Sequence, residues 1–211
     1  MSVAIAFDLF GTLVDADRPA DPAGAVADEL RERGVDVPVD WEAAYSEPHI
    51  DAPEGAEVPL PAHVSAALAS REIEAPNNAA RRAVVAAFDP SVDTRAGASA
   101  AVEAAREYGP VGLLSNCSVP ELVGRTLIRS ELSRDDFDAV VSSVACGWRK
   151  PTPRAFETLA DRLAVSVDEL IYIGDSPAVD GGIEDCGGTY INVETCPLAE
   201  LPARLETEES G

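Results

Sequence analysis

Apolar residues recur along this chain in two rhythms. Unbroken runs at residues 3–6, 111–115, 139–143, 170–174 and 189–193 read as strands buried on both faces. Between them the pattern lengthens to a helical period. Residues 98–108 read as a helix stopped by Gly109 and Pro110, and residues 119–129 carry Leu122, Val123 and Leu127 on one face. A third helix starts at Pro153 behind the capping residue Thr152, with Phe156, Leu159 and Leu163 as its stripe. Ser166 to Glu169 fits a capping box ahead of the fourth strand, and 177–187 reads as a short helix. Strands alternating with helices predict an α/β fold, a doubly wound parallel sheet. The acidic C-terminal tail is expected to fray.

The rhythm is broken between residues 16 and 90. Asp21 and Pro22 open a helix with Val26 and Leu30 as its stripe, and Gly34 closes it. A weakly patterned stretch with five prolines runs on to Pro61, and two more helices are expected at 62–73 and 77–88. No strand pattern occurs there. About 75 residues without structure would be unusual in a compact domain, so this block reads as a helical subdomain inserted after the first strand. The expected organisation is a core of 1–15 and 91–211 with an insertion at 16–90.

Charge narrows the function. The net charge is -22, with 38 acidic residues against 16 basic ones. Binding to nucleic acid or to an anionic membrane surface needs clustered Lys and Arg, so both are excluded as partners. Hydrophobic residues make up 46% of the chain, which excludes disorder by composition. A surface this acidic suits a salt-rich cytoplasm, where screening suppresses self-repulsion. Cys117, Cys146, Cys186 and Cys196 form no C-x-x-C pair and read as reduced thiols. No apolar stretch is long enough to span a bilayer and no signal-peptide pattern precedes the first strand, so a cytoplasmic protein is expected.

The candidate chemistry falls just after the expected strands. Asp8 ends the first strand, in Phe7-Asp8-Leu9-Phe10-Gly11-Thr12. Ser115 and Asn116 end the second, and Asp175 and Asp180 follow the fourth. In a parallel sheet these positions share the edge where ligands bind. The plain alternative for Asp8 read alone is a turn-capping carboxylate. Lys150 is the only lysine in the chain, and an ammonium on a flexible stem reaches a buried oxyanion where a planar guanidinium does not fit. Its plain alternative is a surface charge beside a helix start. Three carboxylates at one edge repel unless a cation offsets them, and an all-oxygen set suits Mg²⁺.

In order and spacing these residues resemble the motifs of the haloacid dehalogenase-like (HAD) hydrolase superfamily. Asp8 to Thr12 is similar to its first motif, Ser115-Asn116 to its second, Lys150 to its third, and Gly174-Asp175-Ser176 with Asp180 to its fourth. The insertion is similar to the small helical cap of that superfamily, on a Rossmann-like core. The resemblance implies Asp8 as nucleophile, with Ser115 and Lys150 holding the transferring group. Thr12, Asn116 and a cap-side Arg18 are implied on the substrate side. Asp8, Asp175, Asp180 and the backbone carbonyl of Phe10 are implied as Mg²⁺ ligands. The implied activity is hydrolysis of a small phosphorylated metabolite through an aspartyl-phosphate.

Phe10 departs from the phosphatase pattern, which places a second Asp there as acid and base. Such assistance is worth about 10²–10⁴-fold. An aromatic at this position is similar to the 2-haloacid dehalogenase branch, whereas Gly174-Asp175 is similar to the metal-binding form. The alternatives are therefore a dehalogenase and a non-catalytic ligand- or partner-binding protein. His49 and His63 lie in the insertion and could reach substrate or replace the missing acid, although packing is the commoner role. Trp41, Tyr45 and Trp148 read as packing residues, and Cys117 as a small apolar wall.

Overall fold

The computed structural model describes residues 3–209. Five parallel strands form one sheet in the order β5-β4-β1-β6-β7: β1 Ala4–Phe7, β4 Val111–Ser115, β5 Ala139–Ser142, β6 Leu170–Gly174 and β7 Thr189–Asn192. Two short strands, β2 Val14–Ala16 and β3 Val92–Thr94, make a separate antiparallel pair. The chain builds outward from β1 through β4 to β5, then returns to the other side of β1 for β6 and β7. That reversal places a topological switch point beside β1, where doubly wound sheets open a ligand crevice.

Both faces of the sheet are covered, which explains the unbroken apolar runs. Successive side chains point to opposite faces. Ile5 and Phe7 accordingly join one core with Leu113, Ile171 and Ile173, while Ala4 and Ala6 join a second with Leu114, Leu170 and Tyr172. Helix α8 (Pro153–Leu163) covers the second face through Phe156, Leu159 and Leu163. It lies close at Gly112, where a Cβ would stand 2.9 Å from methyl carbons of Leu159 and Leu163. Helix α5 (Ala98–Ala105) and the C-terminal helix α9 (Leu201–Glu209) contribute to the first core.

The chain leaves the sheet through β2 and returns through β3. Between them lie α1 (Pro22–Glu32), α2 (Trp41–Ser46), α3 (Leu60–Ala69) and α4 (Ala79–Ala87). Asp21 caps α1 by accepting from the Gly24 amide at 2.9 Å, with Pro22 in the first turn. The apolar residues of the four helices, Val26, Leu30, Val64, Leu68 and Val84 among them, are continuous with the Ile5–Phe7 face of the sheet.

Several expectations need correction. The β2-β3 pair puts Ala16 opposite Val92, so the helical excursion starts and ends a residue or two later than the pattern suggested. Three-residue strands carry too little alternation to be read. Helix α2 is short and lies in the proline-rich stretch. The strand expected at 139–143 ends at Ser142, because Ser143 opens a short helix, α7 (Ser143–Cys146). Residues 180–186 form a 3₁₀ helix within the helix expected at 177–187. The stretch leading into the acidic C-terminal tail packs on the core, with Leu198, Leu201 and Leu205 buried. Residues 210–211 lie outside the described part.

Candidate active site

Parallel pairing sets the carboxyl ends of the strands level. Phe7 is in register with Leu113 and Ile173, and Ser115 with Ser142. The residues that follow therefore meet at one edge. The Asp8 amide donates to Ile173 O at 2.9 Å, which holds the turn after β1 against β6. Gly11 has φ +83°, and a Cβ there would stand 2.6 Å from Asp175 Oδ2. Glycine thus permits both the turn and the approach of Asp175.

Carboxylate oxygens of Asp8, Asp175 and Asp180 all lie within 4.8 Å of one another. Asp8 and Asp180 are buried. Asp180 is tightly packed, since a Cβ on Gly174 would stand 2.2 Å from its Oδ2, and that oxygen accepts the Ser176 amide at 3.0 Å. Three carboxylates this close, two of them buried, fit a hard divalent cation such as Mg²⁺.

Lys150 is 3% exposed, so the sole lysine is a buried charge and not a surface one. Its Nζ lies 3.0 Å from Asp8 Oδ1 and 2.6 Å from Asp180 Oδ1, and donates to Tyr172 Oη at 2.7 Å. Burial pushes the Asp8 carboxyl above its usual range; Lys150 opposes that shift and Asp180 adds to it. Tyr172 is fully buried, and burial holds its phenol well above the usual value, so it stays protonated and donates to Leu114 O at 2.6 Å. Sequence reading missed Tyr172, because a tyrosine inside an apolar strand gives no signal beyond packing.

Asn116 clamps the lysine's backbone. Its Nδ2 donates to Lys150 O at 2.9 Å and its Oδ1 accepts the Lys150 amide at 2.9 Å. The Ser115 hydroxyl is buried with no hydrogen-bond partner among the described residues and lines the cavity that holds Asp8. A buried hydroxyl without a partner is uncommon, and here it is available to a ligand. Thr12, expected on the substrate side, is fully buried and instead donates to Asp175 Oδ1 at 3.3 Å.

Phe10 and Arg18 line the Asp8 cavity together with Asn116 and Arg149. The Arg18 guanidinium lies 5.9 Å from the centre of the Phe10 ring. The same four residues border a second cavity, of about 190 Å³, walled by Phe88, Val119 and Leu122. Arg149 was not singled out from sequence.

The histidines do not meet this site. His49 Nε2 lies 2.6 Å from Ala44 O and His63 Nε2 2.7 Å from Tyr45 O, both inside the insertion. Trp41 donates to Ala23 O at 2.8 Å, and Trp148 stacks under Arg154. Burial raises the Cys117 thiol, consistent with a passive wall. Cys117, Cys146, Cys186 and Cys196 are all free. No helix among the described residues is long and apolar enough to cross a membrane.

A model of haloacid dehalogenase-like hydrolases matches residues 3–182. The chain belongs to this family. A curated phosphatase of Mycobacterium tuberculosis (strain CDC 1551 / Oshkosh) is 37% identical over 76 residues, which is 36% of this chain and 35% of that protein. The match therefore spans about a third of that relative's length. Among solved structures, a 2-haloacid dehalogenase from Pseudomonas syringae pv. Tomato DC3000 has a TM-score of 0.70 at 18% identity, covering 99% of this chain and 100% of that one. A HAD-family enzyme of Bacteroides thetaiotaomicron, in complex with magnesium and inorganic phosphate, has a TM-score of 0.59 at 16% identity, covering 90% and 93%. At these identities the structures establish the shared HAD fold, on which both phosphatases and dehalogenases are built.

Proposed function

We propose that this HAD-like hydrolase is a Mg²⁺-dependent phosphatase acting on a small phosphorylated metabolite, with the helices at 16–90 as a cap over its site. The observation that carries the reading is the carboxylate cluster of Asp8, Asp175 and Asp180, within 4.8 Å. A buried group of that kind has a use for a divalent cation, and halide displacement at carbon has none.

Asp8, Asp175, Asp180 and the Phe10 carbonyl would hold the metal, which supplies charge to offset the repulsion between nucleophile and phosphoryl oxygens. The Asp8 carboxylate attacks phosphorus. The bond from phosphorus to the leaving oxygen breaks, and that oxygen takes the electron pair. Water then attacks phosphorus, the bond from phosphorus to the Asp8 oxygen breaks and returns its electron pair to the carboxylate, and the water's proton passes to solvent as phosphate departs. Lys150 and the Ser115 hydroxyl hold the transferring group, and Asn116 fixes the backbone that carries Lys150. Arg18 and Arg149 border the part of the cleft beyond it. Phe10 protonates nothing, so leaving groups that depart without a proton react fastest.

Phosphate release from an aryl phosphate in high salt, with and without Mg²⁺, tests the reading. Release that needs the metal and vanishes in Asp8→Asn is expected. A second reading, 2-haloacid dehalogenase, is favoured by Phe10 with Arg18 over its ring; halide release that survives chelation would establish it instead. Ligand binding with no turnover in either protein would mark a non-catalytic binder. We read the chain as cytoplasmic and suited to high salt from its net charge of -22.

A further inference from the structure

The segment that delivers Lys150 is paired with the insertion. Ala56 bridges antiparallel to Trp148, the Glu57 amide donates to Gly147 O at 2.9 Å, and the Arg149 amide donates to Gly55 O at 2.9 Å. Glu57 enters the protein at this seam. Its side chain is 2% exposed, and it accepts from Arg149 NH1 at 2.8 Å and from the Ser143 hydroxyl. Ser143 Oγ in turn accepts the Cys117 amide at 2.8 Å. One buried carboxylate of the insertion therefore fixes the Arg149 guanidinium and the loop after Ser115-Asn116.

A carboxylate buried this far is costly unless it is paired and hydrogen-bonded. Glu57 satisfies both conditions while occupying only the NH1 end of Arg149. A guanidinium carries five N–H donors, and the Arg149 side chain is 44% exposed where it borders both cavities. Arg18 borders the same two cavities and has no carboxylate partner among the described residues. Elsewhere the arginines of this acidic chain mostly face acids, as Arg31, Arg33, Arg71, Arg81 and Arg125 do. Two guanidiniums at one cleft call for an anion beyond the phosphoryl group. A planar carboxylate matches a guanidinium edge with two parallel hydrogen bonds. The adjoining cavity is about 190 Å³ and also bears Asp17, which favours a compact monoanion over a second dianionic phosphate.

We propose that Arg149, positioned by Glu57 of the insertion, acts with Arg18 to select phosphate esters whose leaving portion carries a carboxylate. The proposal rests on the phosphatase reading and names its substrate class. Arg149 touches the substrate; Glu57 is a positioning residue that works through it.

The test compares phenyl phosphate with 4-carboxyphenyl phosphate, with Mg²⁺, on the wild type, Arg149→Met and Glu57→Gln. The wild type is expected to favour the carboxylated ester by about tenfold or more in kcat/KM, through KM, the scale of one charge-assisted contact. Arg149→Met, a change at a half-exposed side chain, brings the ratio near one. Glu57→Gln, which keeps an acceptor but loses the charge, falls between. Thermal unfolding of each variant separates misfolding from lost selection. No preference in the wild type, or one that Arg149→Met leaves intact, overturns the proposal. If the wild type hydrolyses neither ester, the phosphatase reading fails by itself. Selection is then read by calorimetry with benzylphosphonate and 4-carboxybenzylphosphonate. Tighter binding of the second that Arg149→Met erases upholds the carboxylate contact of Arg149 without the phosphatase reading, and equal binding overturns it.

Discussion

Lys150 Nζ donates to the hydroxyl of Tyr172 at 2.7 Å, and that hydroxyl in turn donates a hydrogen bond to the carbonyl of Leu114 at 2.6 Å. The ammonium is thereby suspended between the β6 tyrosine and the carboxylates of Asp8 and Asp180. Tyr172→Phe removes the acceptor for Lys150 and the donor to Leu114 without changing the packing of the ring. An unsatisfied buried group costs about 1–3 kcal/mol. The variant is expected to unfold at lower urea by that order and to lose activity through kcat, because the ammonium is less firmly held. Denaturation and steady-state kinetics check both.

Gly174→Ala acts on the proposed metal site through Asp180, which also pairs with Lys150. Its new methyl would lie 2.2 Å from Asp180 Oδ2, an oxygen held in place by the Ser176 amide. Calorimetric titration with Mg²⁺ is expected to show affinity reduced by about tenfold or more, the equivalent of about 1.4 kcal/mol. In the wild type, if the cluster holds Mg²⁺ as proposed, the ion at about 100 times its Kd is expected to raise stability by about 2.7 kcal/mol, read as a higher Tm that chelation reverses.

Asp89 ties the end of α4 to helix α6 (Leu122–Arg129) by ion pairs with Arg125 and Arg129. The hydrogen bond from Arg129, with the charge of both arginines, holds its carboxyl below the ordinary 3.8. A depressed carboxylate stabilises the fold above its unfolded pKa and loses that contribution as pH falls through its folded one. The side chain is 40% exposed, so solvent screening limits the effect to about 1 kcal/mol or less. Asp89→Asn is therefore expected to be slightly less stable than the wild type at neutral pH, with the difference closing below about pH 4. Urea midpoints across pH 3–7 measure it.

Salt acts on the whole molecule. At a net charge of -22, self-repulsion favours expansion, and ions screen it over about 10 Å at 0.1 M and about 3 Å at 1 M. Tm is expected to climb as KCl rises from dilute buffer to molar concentration. A flat profile would remove the salt-rich cytoplasm from the reading.

The amino-acid sequence by itself determined the parallel α/β sheet, the level at which each motif leaves it, and the identity of the family. Strands buried on both faces leave unbroken apolar runs, and strand ends fix where Asp8, Ser115 and Asp175 emerge. These are local properties, set by period and chain order. The tertiary structure alone decided what those residues touch. It gave Thr12 to Asp175, kept His49 and His63 within the insertion, and placed Tyr172 beneath Lys150. It also brought Glu57 to Arg149 across 92 positions of sequence. No period or motif encodes such a pairing. It exists because β2 and β3 close the insertion back onto the sheet, and because a buried carboxylate must find its cation wherever the fold places one.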